Sequence, residues 1–355
     1  MPAPAQGMPF LPGPTFAAVY HAAGDPADTA YTYGRYHNPT WTQFEAALGD
    51  LEGGPAVTFA SGMAAAAAVL GVVLRPGDVL VLPSDGYYTI RALVREHLAP
   101  AGVTVREIPT VSAVAGSVRG ARLVWIESPV NPTLDVCDVS TIAAAARAAG
   151  ALVAVDNTTA TPLGQVPLAL GADFSVASDT KALTGHGDLL LGHVAVRDAA
   201  WADTLRQWRT RTGAVPGPME VWLAHRSLAT LDVRLQRSCA NAQTIAEFLR
   251  SHPAVQAVRY PGLADDPAHA IAARQMQCFG PVVSFTLADR AAAERFLAAC
   301  RVVREATSFG GTHTTAERRA RWGGDAVPPG FIRVSAGLED AADLVEDLQQ
   351  ALAAA

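Results

Sequence analysis

Phe174-Ser175-Val176-Ala177-Ser178-Asp179-Thr180-Lys181 is the stretch on which the reading of this chain turns. Four residues of strand character run into a polar turn, and the turn ends on a lysine. It is the only lysine: of 27 basic residues, the other 26 are arginine. Drift away from lysine codons in an alanine-rich chain is the plain explanation. Under such drift, a lysine that survives can be one that arginine cannot replace. A guanidinium stays protonated, whereas an amine can be tuned to attack a carbonyl. Chance survival is the competing account, so the neighbours decide.

Outward from this stretch, the chain alternates short apolar runs with helical patterns. Ala56–Phe59, Val79–Leu82, Val103–Ile108, Leu123–Glu127, Leu152–Asp156, Phe174–Ala177 and His193–Val196 read as strands. Several are continuously apolar, as strands covered on both faces are. Met63–Leu74 and Ile142–Ala149 read as helices between them, the second stopped by Gly150. The alternation predicts an α/β domain around a mainly parallel central sheet. Beyond Gly213 the pattern changes: a long helix over Val221–Ser251, broken only weakly, a strand over Val282–Leu287, and helices over Ala291–Cys300 and Ala341–Ala354 predict a smaller α+β C-terminal domain. The boundaries read as an N-terminal arm over 1–35, a large domain over 36–220 and a C-terminal domain over 221–355. The Pro/Gly-rich segments Met1–Pro14, Val215–Pro218 and Gly323–Gly330 read as arm, hinge and surface loop.

Composition closes off other classes. With 355 residues, half of them hydrophobic, a large core can be buried. A formal charge of −6 lacks the basic surface that nucleic acid requires. The longest apolar stretch, Ala64–Leu74, is too short to span a bilayer, and the first residues carry neither the basic nor the apolar region of a signal peptide. Cys137, Cys239, Cys278 and Cys300 show no paired spacing and read as reduced thiols, which points to the cytoplasm. The nine histidines show no metal-binding spacing and read mostly as surface or capping groups.

In an open α/β sheet, ligands bind beyond the carboxyl ends of the strands. Lys181 falls there. So do Ser61-Gly62-Met63, opening a helix whose free N–H groups suit a phosphate. Glu127-Ser128-Pro129-Val130-Asn131-Pro132 follows another strand, and Asp156-Asn157-Thr158 a third. Each alone is equally a cap or a turn. Together they offer an amine, an anion cradle and a carboxylate, which are what pyridoxal 5'-phosphate (PLP) needs for its aldehyde, its phosphate and its pyridine nitrogen.

The chain resembles the Cys/Met-metabolism PLP enzymes of fold-type I, the family of cystathionine γ-lyase, cystathionine γ-synthase and methionine γ-lyase. The resemblance runs from about Tyr31 to Leu348. Besides the segments already quoted, it rests on Tyr33-Gly34-Arg35-Tyr36-His37-Asn38-Pro39-Thr40, Gly185-His186-Gly187-Asp188, Arg274-Gln275, Ser308-Phe309-Gly310-Gly311 and Arg333-Val334-Ser335. It implies that Lys181 carries the cofactor and moves protons at Cα, and that Asp156 pairs with the pyridine nitrogen. The Gly62 and Met63 amides, at the helix opened by Ser61, would hold the phosphate with the Ser178 and Thr180 hydroxyls. Tyr33 and Arg35, ordinary loop residues by spacing alone, would reach the phosphate of a neighbouring subunit, which implies a homo-oligomer built as a dimer of dimers. Tyr87 would stack on the cofactor ring and assist proton transfer. Asn131 would touch cofactor and substrate, and Arg333, assisted by Ser308, would hold the substrate carboxylate.

The departures from the family pattern bear on the substrate. Thr307 stands where many relatives carry glutamate, Tyr88-Thr89 replaces a pair of glycines, Ala182 replaces an aromatic residue, and Gly187 replaces a serine. The segment between Gly311 and Arg333 is short and rich in arginine (Arg318, Arg319, Arg321). None of these is expected to touch the core PLP machinery. The resemblance implies γ-elimination of L-cystathionine, a small amino-acid substrate, to cysteine, 2-oxobutanoate and ammonia. The alternatives are γ-replacement on an O-acylhomoserine, methionine γ-lyase or cystathionine β-lyase activity, and, in another class, a PLP-binding regulator without turnover.

Overall fold

The computed structural model describes residues 6–7, 9–113 and 115–355. Residues 1–5 and 8 of the Pro/Gly-rich arm lie outside the described residues. A first sheet is built from β1 (Ala56–Phe59), β2 (Val79–Pro83), β3 (Thr104–Ile108), β4 (Leu123–Glu127), β5 (Leu152–Asp156), β6 (Phe174–Ala177) and β7 (Gly192–Val196). Their order is β1-β7-β6-β5-β4-β2-β3. Only β7 runs against its neighbours. The carboxyl ends of β1, β2, β4, β5 and β6 therefore open on one edge, where the polar segments collect.

Val, Leu and Ala fill these strands because both faces are covered. The helices Gly62–Val73 and Ala199–Thr212 pack one face, and Val139–Ala148 packs the other. Gly62–Val73 is alanine-rich, a strong helix former, and buried through much of its length. Ser61 caps it, its hydroxyl accepting from the Ala64 N–H at 3.1 Å.

The second sheet comprises β8 (Ala257–Arg259), β9 (Val282–Thr286), β10 (Arg304–Glu305), β11 (Thr315–Arg318) and β12 (Phe331–Ser335), ordered β10-β11-β12-β9-β8. The helices Leu231–Ser251, Arg290–Ala299 and Ala341–Leu352 cover its apolar face. No helix among the described residues is long and apolar enough to cross a membrane.

The strands read from the sequence in the large sheet all form, within a residue at either end. The long helix over Val221–Ser251 is a correction: it is two helices, Pro218–Leu228 and Leu231–Ser251. The break is held by Arg234, whose buried guanidinium donates to the carbonyls of Ser227, Ala182 and Leu183 at 2.9, 2.9 and 3.1 Å. One arginine thus closes a helix end and ties it to the loop after Lys181. The polar strands β10 and β11 escape the sequence reading because Thr315-Ala316-Glu317-Arg318 shows no apolar alternation.

Candidate active site

A cavity of about 440 Å³ lies at the open edge of the large sheet, closed from the other side by β12 and the turn after β11. Lys181, Ser61, Gly62, Met63, Tyr87, Asn131, Asp156, Ser178, Thr180, Ser308 and Arg333 all line it. Tyr33 and Arg35 do not. Arg35 donates instead to the Thr210 carbonyl at 3.0 Å and lies 5.4 and 5.1 Å from the Tyr33 and Tyr36 ring centres.

The sheet side is built on strand ends. Lys181 Nζ donates to Ser308 Oγ at 2.8 Å. Burial, then the nearby Arg333 charge, pulls the lysine pKa down to about 8, so a sizeable fraction is the free, nucleophilic amine near neutrality. Asp156 ends β5 with its carboxylate in the cavity, taking the Thr158 N–H at 3.0 Å. Burial raises its pKa; a cationic partner in the cavity would lower it again. Glu127 holds two neighbours by their main chain, accepting from Tyr87 N at 2.6 Å and Asn131 N at 3.0 Å. Burial, then the Asp156 charge, pushes Glu127 up to about 8.

The anion end is formed by a close approach. A Cβ on Gly62 would sit 2.6 Å from Ser178 Cβ, so only glycine lets the helix N-terminus lie against the turn after β6. Its first N–H groups then face the cavity with Ser178. Thr180 is more constrained than the resemblance implies: its hydroxyl donates to the Leu191 carbonyl at 3.2 Å and accepts from Leu191 N at 3.0 Å.

The opposite side comes from the second sheet. Arg333 is buried; its Nη1 donates to Asn131 Oδ1 at 2.8 Å and its Nη2 to the Ser308 carbonyl at 2.6 Å. Ser308 reaches both Lys181 and Arg333 by adopting φ 76°, a left-handed conformation that a side chain makes costly. The Phe309 ring centre is 5.4 Å from Lys181 Nζ and 5.4 Å from the Arg333 guanidinium. Tyr87 and Tyr88 meet edge to face at 5.2 Å, so Tyr88 shares the wall and does not displace Tyr87.

Two further features bear on the site. The arginine-rich segment, expected to bear on the substrate, forms part of the cavity wall: Arg319 and Trp322 line it, and Gly324 accepts from Arg91 Nη2 at 2.6 Å. The fully buried Glu317 binds Arg333, Arg319, Arg321 and Trp322 from behind. In addition, His193 is no surface group. Wholly buried, it contacts Asp179 at 2.6 Å and Glu52 at 3.0 Å through its two ring nitrogens. Burial opposes its charge, but the two carboxylates outweigh burial and raise its pKa to about 10. An imidazolium between two acids therefore lies directly beneath the Lys181 turn. A lone histidine in a strand and a glutamate 141 residues away carry no local signal.

A family model for Cys/Met metabolism PLP-dependent enzymes matches residues 13–353. The chain belongs to that family. It is 58% identical over 358 residues to a Streptomyces coelicolor protein named "Putative cystathionine gamma-lyase", covering 99% of this chain and 91% of the relative. It is 41% identical to a cystathionine gamma-synthase of Mycobacterium tuberculosis, covering 91% and 86%. The solved metB protein of Corynebacterium glutamicum superposes with a TM-score of 0.95 at 33% identity, covering 99% and 94%. The fold is thus that of the fold-type I PLP enzymes, and the cofactor is PLP. The residues present fit it: an amine whose pKa is lowered to about 8, an anion cradle that a Cβ would fill, and a buried carboxylate lacking a cationic partner among the described residues.

Proposed function

We propose that this chain is a cystathionine γ-lyase, converting L-cystathionine to cysteine, 2-oxobutanoate and ammonia. The observation that carries the reading is one cavity holding the Lys181 amine, the Asp156 carboxylate and the Arg333 guanidinium. The 58% identity to the Streptomyces protein supports the choice of substrate.

When bound, PLP supplies the electron sink that makes a proton at the substrate Cα removable. Lys181 would hold the cofactor, and its amine, once freed by the substrate, would take the Cα proton. Asp156 would keep the pyridine nitrogen protonated. Gly62, Met63, Ser178 and Thr180 would anchor the phosphate. Arg333, set by Asn131 and Ser308, would hold the α-carboxylate and so fix which bond at Cα lies across the ring. Tyr87 or Lys181 would deliver the proton that lets the γ-sulfur leave as a thiol. Water then completes the release of 2-oxobutanoate and ammonia.

Tyr33 and Arg35 lie outside their own chain's cavity, which supports their use by a neighbouring subunit in a dimer of dimers. We further take the chain as a cytoplasmic protein organised as arm 1–35, large domain 36–220 and C-terminal domain 221–355. γ-Replacement on an O-acylhomoserine is the second reading, favoured by the 41% identity to the mycobacterial synthase.

Product analysis separates the two. Cystathionine alone should yield 2-oxobutanoate and cysteine. Cystathionine formed from O-succinylhomoserine plus cysteine, with no lyase products, would replace this reading by the synthase. A gel-filtration mass of one chain would remove the shared site.

A further inference from the structure

Glu317 and Arg333 are direct cross-strand partners on β11 and β12, and their side chains meet in an ion pair. Arg319 Nη1 donates to the same carboxylate oxygen, Oε1, at 2.7 Å. Its other edge grips Asp325, with Nε and Nη2 at 2.9 and 2.7 Å from Oδ2. All four side chains are nearly inaccessible to solvent. Two buried guanidiniums and two buried carboxylates thus share a dry corner, with the partly exposed Arg321 on the other Glu317 oxygen at 3.2 Å, and Glu317 Oε1 is divided between Arg333 and Arg319.

This division matters for Arg333. Both hydrogens of its Nη2 are committed, to Ser308 and Glu317, and one on Nη1 goes to Asn131. The second Nη1 hydrogen and the Nε hydrogen have no acceptor among the described residues. These two N–H groups, on different edges of the guanidinium, remain free to donate singly to ligand oxygens. Glu317 is held ionised: burial pushes its pKa up, but Arg333, the Trp322 N–H and Arg319 together outweigh burial and bring it below its usual value. A full negative charge directly behind Arg333 competes with any carboxylate in front of it.

We propose that Arg319 is a positioning residue for substrate recognition, sharing Glu317 so that Arg333 stays available to the substrate α-carboxylate. The proposal rests on the reading of Arg333 given above. Without Arg319, the corner loses one positive charge and Glu317 Oε1 turns wholly to Arg333. Both changes weaken a carboxylate bound in front, and in a low-dielectric corner both are strong. Arg319 acts through its neighbour and moves no proton.

The test uses the PLP-loaded enzyme and two probes without a γ-leaving group, L-alanine and L-alaninamide, titrated by the cofactor's visible absorbance. Arg319→Gln should weaken L-alanine about 10-fold or more, as loss of an ion-assisted hydrogen bond does, and leave L-alaninamide within about 3-fold. The double variant Arg319→Gln/Glu317→Gln, which removes one charge of each sign, should recover most of the carboxylate affinity. Arg319→Lys keeps the charge and should retain the wild-type preference for L-alanine, which decides the matter even where the glutamine variant does not fold. Equal losses for both probes, or a double variant no better than the single one, would overturn the proposal. Arg333→Ala is the control for the underlying reading: it should abolish the preference for L-alanine. An unchanged preference in that variant would overturn the role of Arg333 itself, a failure distinct from that of Arg319.

Discussion

The two walls of the cavity are built in opposite ways. On the sheet side, Ser61-Gly62-Met63, Asp156 and Ser178–Lys181 each lie within a few residues of a strand end, so local sequence places them. On the far side, Arg333, Glu317, Arg319 and Trp322 act through one buried carboxylate, and their order depends on how β11 meets β12. The first wall is a set of independent strand-end turns. The second is a coupled ion network, in which loss of one member re-aims the others. Under the proposed assignment, cofactor chemistry rests on parts that fail singly, and substrate recognition on parts that fail together.

Lys181→Ala gives the largest break. It should lower turnover about 10³-fold or more and abolish borohydride fixation of PLP; retained activity would remove this wall from the chemistry. Arg333→Ala should separate the walls, raising KM about 100-fold while PLP still binds, because the substrate carboxylate loses its guanidinium partner while Glu317 keeps Arg319, Arg321 and Trp322. Loss of PLP binding in that variant would show the walls to be one unit.

His193→Gln tests the floor beneath the sheet wall, where a cation between two buried acids is replaced by a neutral amide. Urea unfolding at pH 7 should show a loss of about 3 kcal/mol. The pH dependence has a definite sign. The folded pKa of about 10 lies above the ordinary histidine value of 6.5, so the stabilisation is complete below about pH 6.5 and is lost as pH rises through 10. The wild type should therefore lose its advantage over the glutamine variant across that window; a constant difference would contradict an imidazolium at this position.

The smallest effect concerns the amine. With a pKa of about 8 for Lys181, the rate of PLP capture by the cofactor-free protein should rise about 10-fold from pH 6 to 7 and level off above 8, since only the neutral amine adds to an aldehyde. A stopped-flow absorbance profile that is flat below pH 8 would show that the amine is not the titrating group.

The large sheet was legible because its apolar runs obey a local rule: strands covered on both faces are continuously hydrophobic. Gly62 and Ser178 could be named for the same reason, each being a feature of one turn. β11 was not legible, since Thr315-Ala316-Glu317-Arg318 is polar in a strand whose charges are neutralised only by partners elsewhere. The arginines around it consequently had no partner that the sequence could name. Arg234 and His193 were missed for a related reason, as their acceptors lie 51 and 52 residues away in one case and 14 and 141 in the other.

By itself the sequence determined that Lys181 is singular, that it follows a strand, and that a carboxylate and an anion cradle follow neighbouring strands. Those are local facts, because strand ends in a parallel sheet share one edge whatever the rest of the chain does. Only the tertiary structure decided what faces the lysine across the cavity. That a glutamate of β11 stands behind Arg333, and that Arg319 shares it, depends on strand register and on burial. Neither is written in the spacing of charged residues, because a charge acquires its partner only when the chain closes and water leaves.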